Sequence, residues 1–183
     1  MSSSFLPNVL LAILRTPVLA IGLPLVFGVL SGFPTAQVVR GPWYNSLRFP
    51  PGRPPKEVFP IVWPLLYISM GYASHISVKA LDSSESPSTR TSLALGIALY
   101  YTQLAMNLAW TPLFFGLKRV GLALIDSVLM TGTTLYAARL LHGPTGSRTT
   151  YLLFPYCGWL CFAVYLNAGI WWLNRERTLK KEA

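Results

Sequence analysis

Acidic side chains are scarce in this chain: Asp and Glu number six in 183 residues, against fifteen Lys and Arg. Two His and two Cys complete a small stock of side chains suited to metal binding or acid–base work. No His clusters with carboxylates, no Gly-rich loop is set to cradle phosphate, and no Ser or Cys has a matched base nearby in sequence. Hydrolytic chemistry and a metal centre are therefore not expected. Cys157 and Cys161 lie four apart on one expected helix and point along it in parallel, which suits neither a disulfide nor a metal site; they are expected as small core-filling residues. Charged residues make up only 11% of the chain and hydrophobic ones 52%. A soluble domain of that composition would leave too much apolar surface in water. The formal net charge of +9 does not point to nucleic acid, because the basic residues are dispersed among loops and the tail; anionic lipid headgroups are the expected counterpart.

What is present is a set of five charge-poor stretches near the roughly 20 residues that hydrocarbon requires. They cover 16–39, 58–78, 91–117, 120–138 and 149–174, and only the fourth holds an acid or base other than histidine, Asp126. The expected fold is all-α: a polytopic membrane protein, one domain over 1–183, with five spanning helices at about 9–33, 58–80, 91–116, 120–141 and 149–174. The first stretch is too long for a typical signal-peptide core, and four more spans follow it. Five Lys and Arg (Arg15, Lys79, Arg90, Arg139, Arg148) fall on one side and ten on the other, which places the first loop, the third loop and the C-terminus in the cytoplasm. Those ten include Arg175, Arg177, Lys180 and Lys181 in the tail.

The first loop, 34–57, holds Pro50, Pro51, Pro54 and Pro55, which stiffen it into a semi-rigid lid anchored by Trp43 and Tyr44. On helix 3, Gln103, Asn107, Trp110 and Phe114 recur at helical spacing, so one face carries two carboxamides that need partners within a bundle. Helix 5 repeats the theme with Pro155, Trp159, Phe162, Ala163, Leu166 and Asn167, and helix 2 adds Trp63, Tyr67 and Gly71. Three aromatic faces can converge beneath the lid on a flat apolar ligand; a purely structural core remains the alternative. Asp126 is expected to pair with Arg119, one face and seven residues away, or to bond a loop. Gly28 and Gly32, and the small-residue step Ala94, Ala98 and Thr102, permit close helix approach; the second offers a homodimer face.

In order along the chain, Trp43-Tyr44, Leu47, Pro50, Pro54-Pro55, Trp63, Leu66-Tyr67, Met70-Gly71-Tyr72, Gln103-Leu104, Asn107 to Trp110, Pro112, Phe114 to Gly116, Asp126, Pro155-Tyr156, Trp159, Phe162-Ala163 and Leu166-Asn167 resemble the translocator protein family, also called TspO or tryptophan-rich sensory proteins. The resemblance implies a five-helix bundle with a ligand cavity under loop 1, commonly homodimeric. It implies binding of porphyrin- or haem-type tetrapyrroles as ligands, with no cofactor, and in some members sterols. By position it implies that Trp63, Tyr67, Asn107, Trp110, Trp159, Phe162, Ala163 and Leu166 line the cavity beneath a lid carrying Trp43, Tyr44, Arg48 and Arg53. The chain departs from the family at Phe49, where a basic residue is usual, and at Gly52, where a second loop tryptophan is frequent. The end of helix 5 reads Ala168, Ile170 and Trp172 where the animal sterol motif would lie, so sterol recognition through that motif is expected to be absent or altered.

The expected role is binding for sequestration, transport or signalling, without catalysis. Two rivals stand beside it. In some bacterial members porphyrin is degraded in light with two tryptophans, to which Trp63 and Trp159 correspond; alternatively the chain is a scaffold or sensor acting through partner proteins. The resemblance implies the mitochondrial outer membrane if the chain is eukaryotic, with endoplasmic reticulum second, and a bacterial outer membrane if it is prokaryotic.

Overall fold

Pro17 lacks a backbone N–H and forces the residue before it out of helical geometry, so Thr16 is extended (φ −96°, ψ 111°) and the first helical region is broken there. The computed structural model describes residues 6–182, with side chains through Arg175. The side chains of Arg177, Lys180 and Lys181, part of the charge count above, lie outside the described residues. A short amphipathic helix, α1 (Asn8–Arg15), turns Leu11 and Leu14 inward and is followed by α2 (Pro17–Gly32). The single helix expected over 9–33 is thus two.

The first loop is also more structured than expected. It contains α3 (Thr35–Arg40) and α4 (Pro42–Asn45), and only the proline-rich run that follows is extended, closing on a 3-10 turn at Lys56–Val58. Then come α5 (Phe59–Ser83), α6 (Pro87–Thr111), α7 (Val120–His142) and α8 (Arg148–Glu182). Helix α6 begins four residues earlier than expected because Pro87 sits at the first helical turn, where its missing N–H costs nothing. It ends in a π-helical turn, Pro112–Gly116, followed by Lys118 at φ +56°. Helix α8 continues past the expected end at 174 into the basic tail.

The long helices form a ring: α2 packs on α5, α5 on α8, α8 on α7, α7 on α6, and α6 meets both α5 and α2. Two close crossings depend on glycine. A Cβ at Gly71 would lie 2.4 Å from the Ala20 carbonyl oxygen and 2.7 Å from the Ile21 Cα, and one at Gly28 would lie 2.1 Å from the Tyr67 ring. Gly32 has nothing within 4 Å of such an atom. On α6, Ala94 is buried and Ala98 partly so, leaving Thr102, Ala105 and Ala109 as the small residues on its outer face.

Large apolar side chains point away from the protein on α2 (Val26, Phe27, Leu30), α5 (Ile61, Leu65), α7 (Ile125, Leu129) and α8 (Tyr151, Phe154). In water such surfaces would drive association; hydrocarbon accepts them. Among the described residues four helical stretches are long and apolar enough to cross a bilayer: Pro17–Arg40, Lys56–Ser83, Val120–His142 and Arg148–Arg175. Helix α6 matches them in length at 25 residues, but Tyr100, Tyr101, Gln103 and Asn107 lower its hydropathy.

A tryptophan-rich bowl beneath the first loop

Each carboxamide on α6 finds a partner on another helix. Tyr67 Oη on α5 donates to Asn107 Oδ1 (2.6 Å), Asn107 Nδ2 donates to Tyr156 Oη on α8 (3.1 Å), and Tyr156 Oη donates to Gln103 Oε1 (2.7 Å). Gln103 Nε2 ends the chain at Met70 Sδ (3.7 Å). All four polar residues are buried. In a low-dielectric interior such a continuous network fixes the relative register of three helices, since slippage would strand several polar groups at once. Tyr156, wholly buried and the hub of the network, was missed as a site residue; its position one turn before Trp159 on the same face was the available signal.

This network is a floor. One turn nearer the first loop, about 5 Å along each helix axis, stand Trp63 on α5, Trp110 on α6 and Trp159 on α8. Trp63 stacks on Tyr67 (centroids 5.6 Å, 29°) and meets Trp159 edge to face (6.4 Å, 87°). Phe59 packs on Trp159 (5.8 Å), and Trp159 continues through Phe162 (5.9 Å) to Tyr165 (6.2 Å). Trp63, Trp159, Phe162 and Ala163 are half-buried, and Leu166 is buried. These predicted residues are brought together along the seam between α5 and α8.

Trp110 is set apart from that seam. It stacks on Phe114 (4.8 Å, 17°), and its Nε1 donates to Asn167 Oδ1 (3.0 Å), whose amide donates in turn to the Val120 carbonyl (3.0 Å). With Phe114 it belongs to a second apolar cluster that includes Trp43, Tyr44, Leu47 and Phe49. The lid residues thus sit over the end of α6: Trp43 against Phe114 (5.9 Å) and Tyr44 against Phe115 (5.9 Å).

The extended part of the loop is fastened to α8 at three points. The Arg48 backbone N–H donates to Asn174 Oδ1 (3.0 Å) while Asn174 Nδ2 donates to the Arg48 carbonyl (2.9 Å). Tyr165 Oη donates to the Pro51 carbonyl (2.9 Å), and Pro50 lies so close to Gly169 that an added Cβ would fall 2.6 Å from its ring. The Arg53 guanidinium lies 3.7 Å from the Phe49 ring centroid and donates to Tyr44 Oη (3.1 Å). Its charge is therefore held within the lid by Phe49, the residue that departs from the family pattern. The Arg48 side chain is exposed.

Several expectations fail. Asp126 does not pair with Arg119: its Oδ2 is buried with no hydrogen-bond partner among the described residues, and two helical turns, about 10 Å, separate the two backbone positions. Cys157 is buried as expected, but Cys161 faces outward, because a step of four overshoots the 3.6-residue turn at the edge of the packed face. His75, the one histidine within the charge-poor stretches, is buried on α5 with its Nδ1 2.7 Å from the Leu14 carbonyl. No three His, Cys, Asp or Glu among the described residues are grouped to hold a metal ion.

The sequence profile of the TspO/MBR family matches residues 20–173. The chain belongs to that family. As a member it is 38% identical over 151 residues to the translocator protein of Bos taurus, covering 81% of this chain and 86% of that protein. It is 41% identical over 131 residues to the translocator protein homolog of Schizosaccharomyces pombe (72% and 77%), and 32% identical over 150 residues to the tryptophan-rich protein TspO of Archaeoglobus fulgidus (82% and 91%). Family membership and the outward apolar faces together make the chain an integral membrane protein.

Proposed function

We propose that this family member binds flat, lipophilic tetrapyrroles against Trp63 and Trp159 at the seam between α5 and α8, between the Tyr67–Asn107–Tyr156 floor and the first loop, with Trp110 in the neighbouring cluster at the end of α6. The observation that carries the reading is the edge-to-face pair Trp63–Trp159 directly above a fully satisfied polar floor. A macrocycle gains by stacking on half-buried indoles, while the buried amides of the floor already have partners and ask nothing of it. Deeper in the bundle, beside Gln103, the internal void is about 10 Å³, room for one water. The ligand therefore lies above the floor, with its acidic substituents toward the exposed Arg48.

Helix α6 is the fifth span in this reading. Its two carboxamides are paired inside the bundle, so its polarity does not meet lipid. Its outer face carries Thr102, Ala105 and Ala109 and, among the described residues, no exposed large apolar side chain. That surface suits a second copy of the chain better than lipid tails. The mitochondrial outer membrane is the proposed location, following the resemblance to eukaryotic members.

Titration of the purified protein with protoporphyrin IX tests the site. Saturable quenching of tryptophan fluorescence is expected, with affinity reduced at least tenfold when Trp63 and Trp159 are both replaced by Leu; unchanged affinity rejects the site. The contact of two indoles also favours a second reading, light- and oxygen-dependent porphyrin breakdown. Illumination of the complex separates the two: simple binding returns the porphyrin unaltered, and breakdown yields a new product.

A further inference from the structure

At the end of the bundle away from the first loop, a groove of about 750 Å³ opens between the C-terminal part of α5 and the turn joining α7 to α8. Lys79 on one wall and Arg148 on the other are both exposed, and no Asp or Glu lines the groove. Between the two cations the lining is mixed: Ile76, Ala80 and Leu152 with the rings of Tyr72 and Tyr151 give it an apolar track, and His75, Ser83 and Thr145 add polar groups. We infer that this groove is a binding site for an anionic phospholipid, its phosphate held between Lys79 and Arg148 and its acyl chains descending along Ile76 and Leu152.

Four features of the groove support this assignment. First, the depth is that of the headgroups: Lys79 immediately follows the charge-free stretch 58–78, and Arg148 immediately precedes 149–174. Second, the two cations are uncommitted. Of the five Lys and Arg at this end, Arg15 forms a two-point ion pair with Asp82 (both contacts 2.9 Å), and Arg90 donates to the Leu81 and Ser84 carbonyls. Lys79 and Arg148 make no ion pair with any described residue.

Third, the walls are preorganised. The turn carrying Arg148 contains Gly146 and Ser147 with φ of +58° and +66° and is tied by Thr145 Oγ1 to the Leu141 carbonyl (2.6 Å) and to Thr149 Oγ1 (2.7 Å). Ser69 Oγ on α5 donates to the Leu152 carbonyl on α8 (2.6 Å) beneath the groove. Little ordering remains to oppose binding. Fourth, the volume lies in the range of sites for small organic ligands, too large for an isolated phosphate to fill. The site is separate from the tryptophan bowl and does not depend on what the bowl binds.

The test uses the full chain in phosphatidylcholine vesicles, with spin-labelled phosphatidylglycerol and spin-labelled phosphatidylcholine as probes of lipid held at the protein surface. Two basic residues at headgroup depth correspond to a preference of roughly thirtyfold for the anionic lipid. That preference is expected to vanish in Lys79→Gln/Arg148→Gln, to survive in Lys79→Arg/Arg148→Lys, and to be untouched in Arg139→Gln, which removes an exposed cation at the same end outside the groove. Unchanged thermal unfolding in the Gln variant establishes that it is folded. An equal loss in Arg139→Gln, which would mark diffuse charge, overturns the proposal. So does displacement of the labelled lipid by millimolar inorganic phosphate alone, which would make the groove an anion site with no use for acyl chains.

Discussion

Tyr67 is held from both sides: its hydroxyl donates to Asn107 across the bundle at 2.6 Å, and its ring fills the space that a side chain at Gly28 would need. One residue thus couples the α2–α5 crossing to the polar floor of the bowl. The floor and the helix packing should therefore respond together to substitution.

Gly28→Ala should push the Tyr67 ring out of its stack on Trp63 and cost roughly 1–3 kcal/mol, as overpacking does in tight cores. Gly71→Ala should be at least as damaging, since the added methyl meets backbone atoms of α2 that cannot rotate away. Gly32→Ala, with open space around it, should be silent. Thermal unfolding in mild detergent ranks the three, and a silent Gly71→Ala would show that the α2–α5 crossing is looser than described.

Tyr156→Phe should destabilise more than Tyr67→Phe. The first leaves both Asn107 Nδ2 and Gln103 Oε1 without their partner, the second only Asn107 Oδ1. A buried polar group left unpaired costs about 1–3 kcal/mol, so the difference is measurable by the same unfolding assay. Equal effects would mean that the network does not act as a continuous chain.

Asn174→Ala removes both hydrogen bonds that pin the Arg48 backbone to α8. Amide hydrogen exchange at Arg48 should accelerate, and so should release of bound porphyrin if the loop is its lid. Exchange unchanged from the native protein would show that Pro50 against Gly169 is a sufficient anchor by itself.

The dimer proposed through α6 should be lost in Ala105→Leu/Ala109→Leu in detergent, because bulk on the small outer face of α6 prevents close approach. Sedimentation or native mass spectrometry reads the result directly. A dimer that survives the double substitution places the interface elsewhere.

Much of the architecture was visible in the distribution of charge alone. The absence of Lys, Arg, Asp and Glu from long runs marked α2, α5 and α8, and one acid in an apolar run still left α7 plain. Helix α6 was legible from the same absence of charge over 91–117, while Gln103 and Asn107, whose helical spacing marked its inward face, also keep it from reaching the hydropathy of the other four. The break at Thr16 was written in the Pro17 that follows, but hydropathy smooths over a single residue. The short helices at Thr35–Arg40 and Pro42–Asn45 were hidden by reading the whole loop from its later prolines.

In the site, helical periodicity identified the faces but not how far apart they would stand. Trp63 and Trp159 meet; Trp110, on an equally convincing stripe, is drawn toward Phe114 and Asn167 instead. Which indole reaches which depends on helix crossing and register, and these are fixed by long-range partners such as Tyr156 and by the close approach at Gly28. Neither is encoded in the spacing along any one helix. The pairing expected of Asp126 failed for the same reason, since a shared helical face does not bring two side chains two turns apart into contact.

The most direct test follows the six indole N–H signals of the ¹⁵N-labelled protein as a paramagnetic manganese porphyrin is added. Trp63 and Trp159 should broaden first, Trp110 and Trp43 next, and Trp171 and Trp172, on the far part of α8, last. Early and selective loss of Trp171 and Trp172, with Trp63 and Trp159 unaffected, would contradict a tetrapyrrole site between α5 and α8.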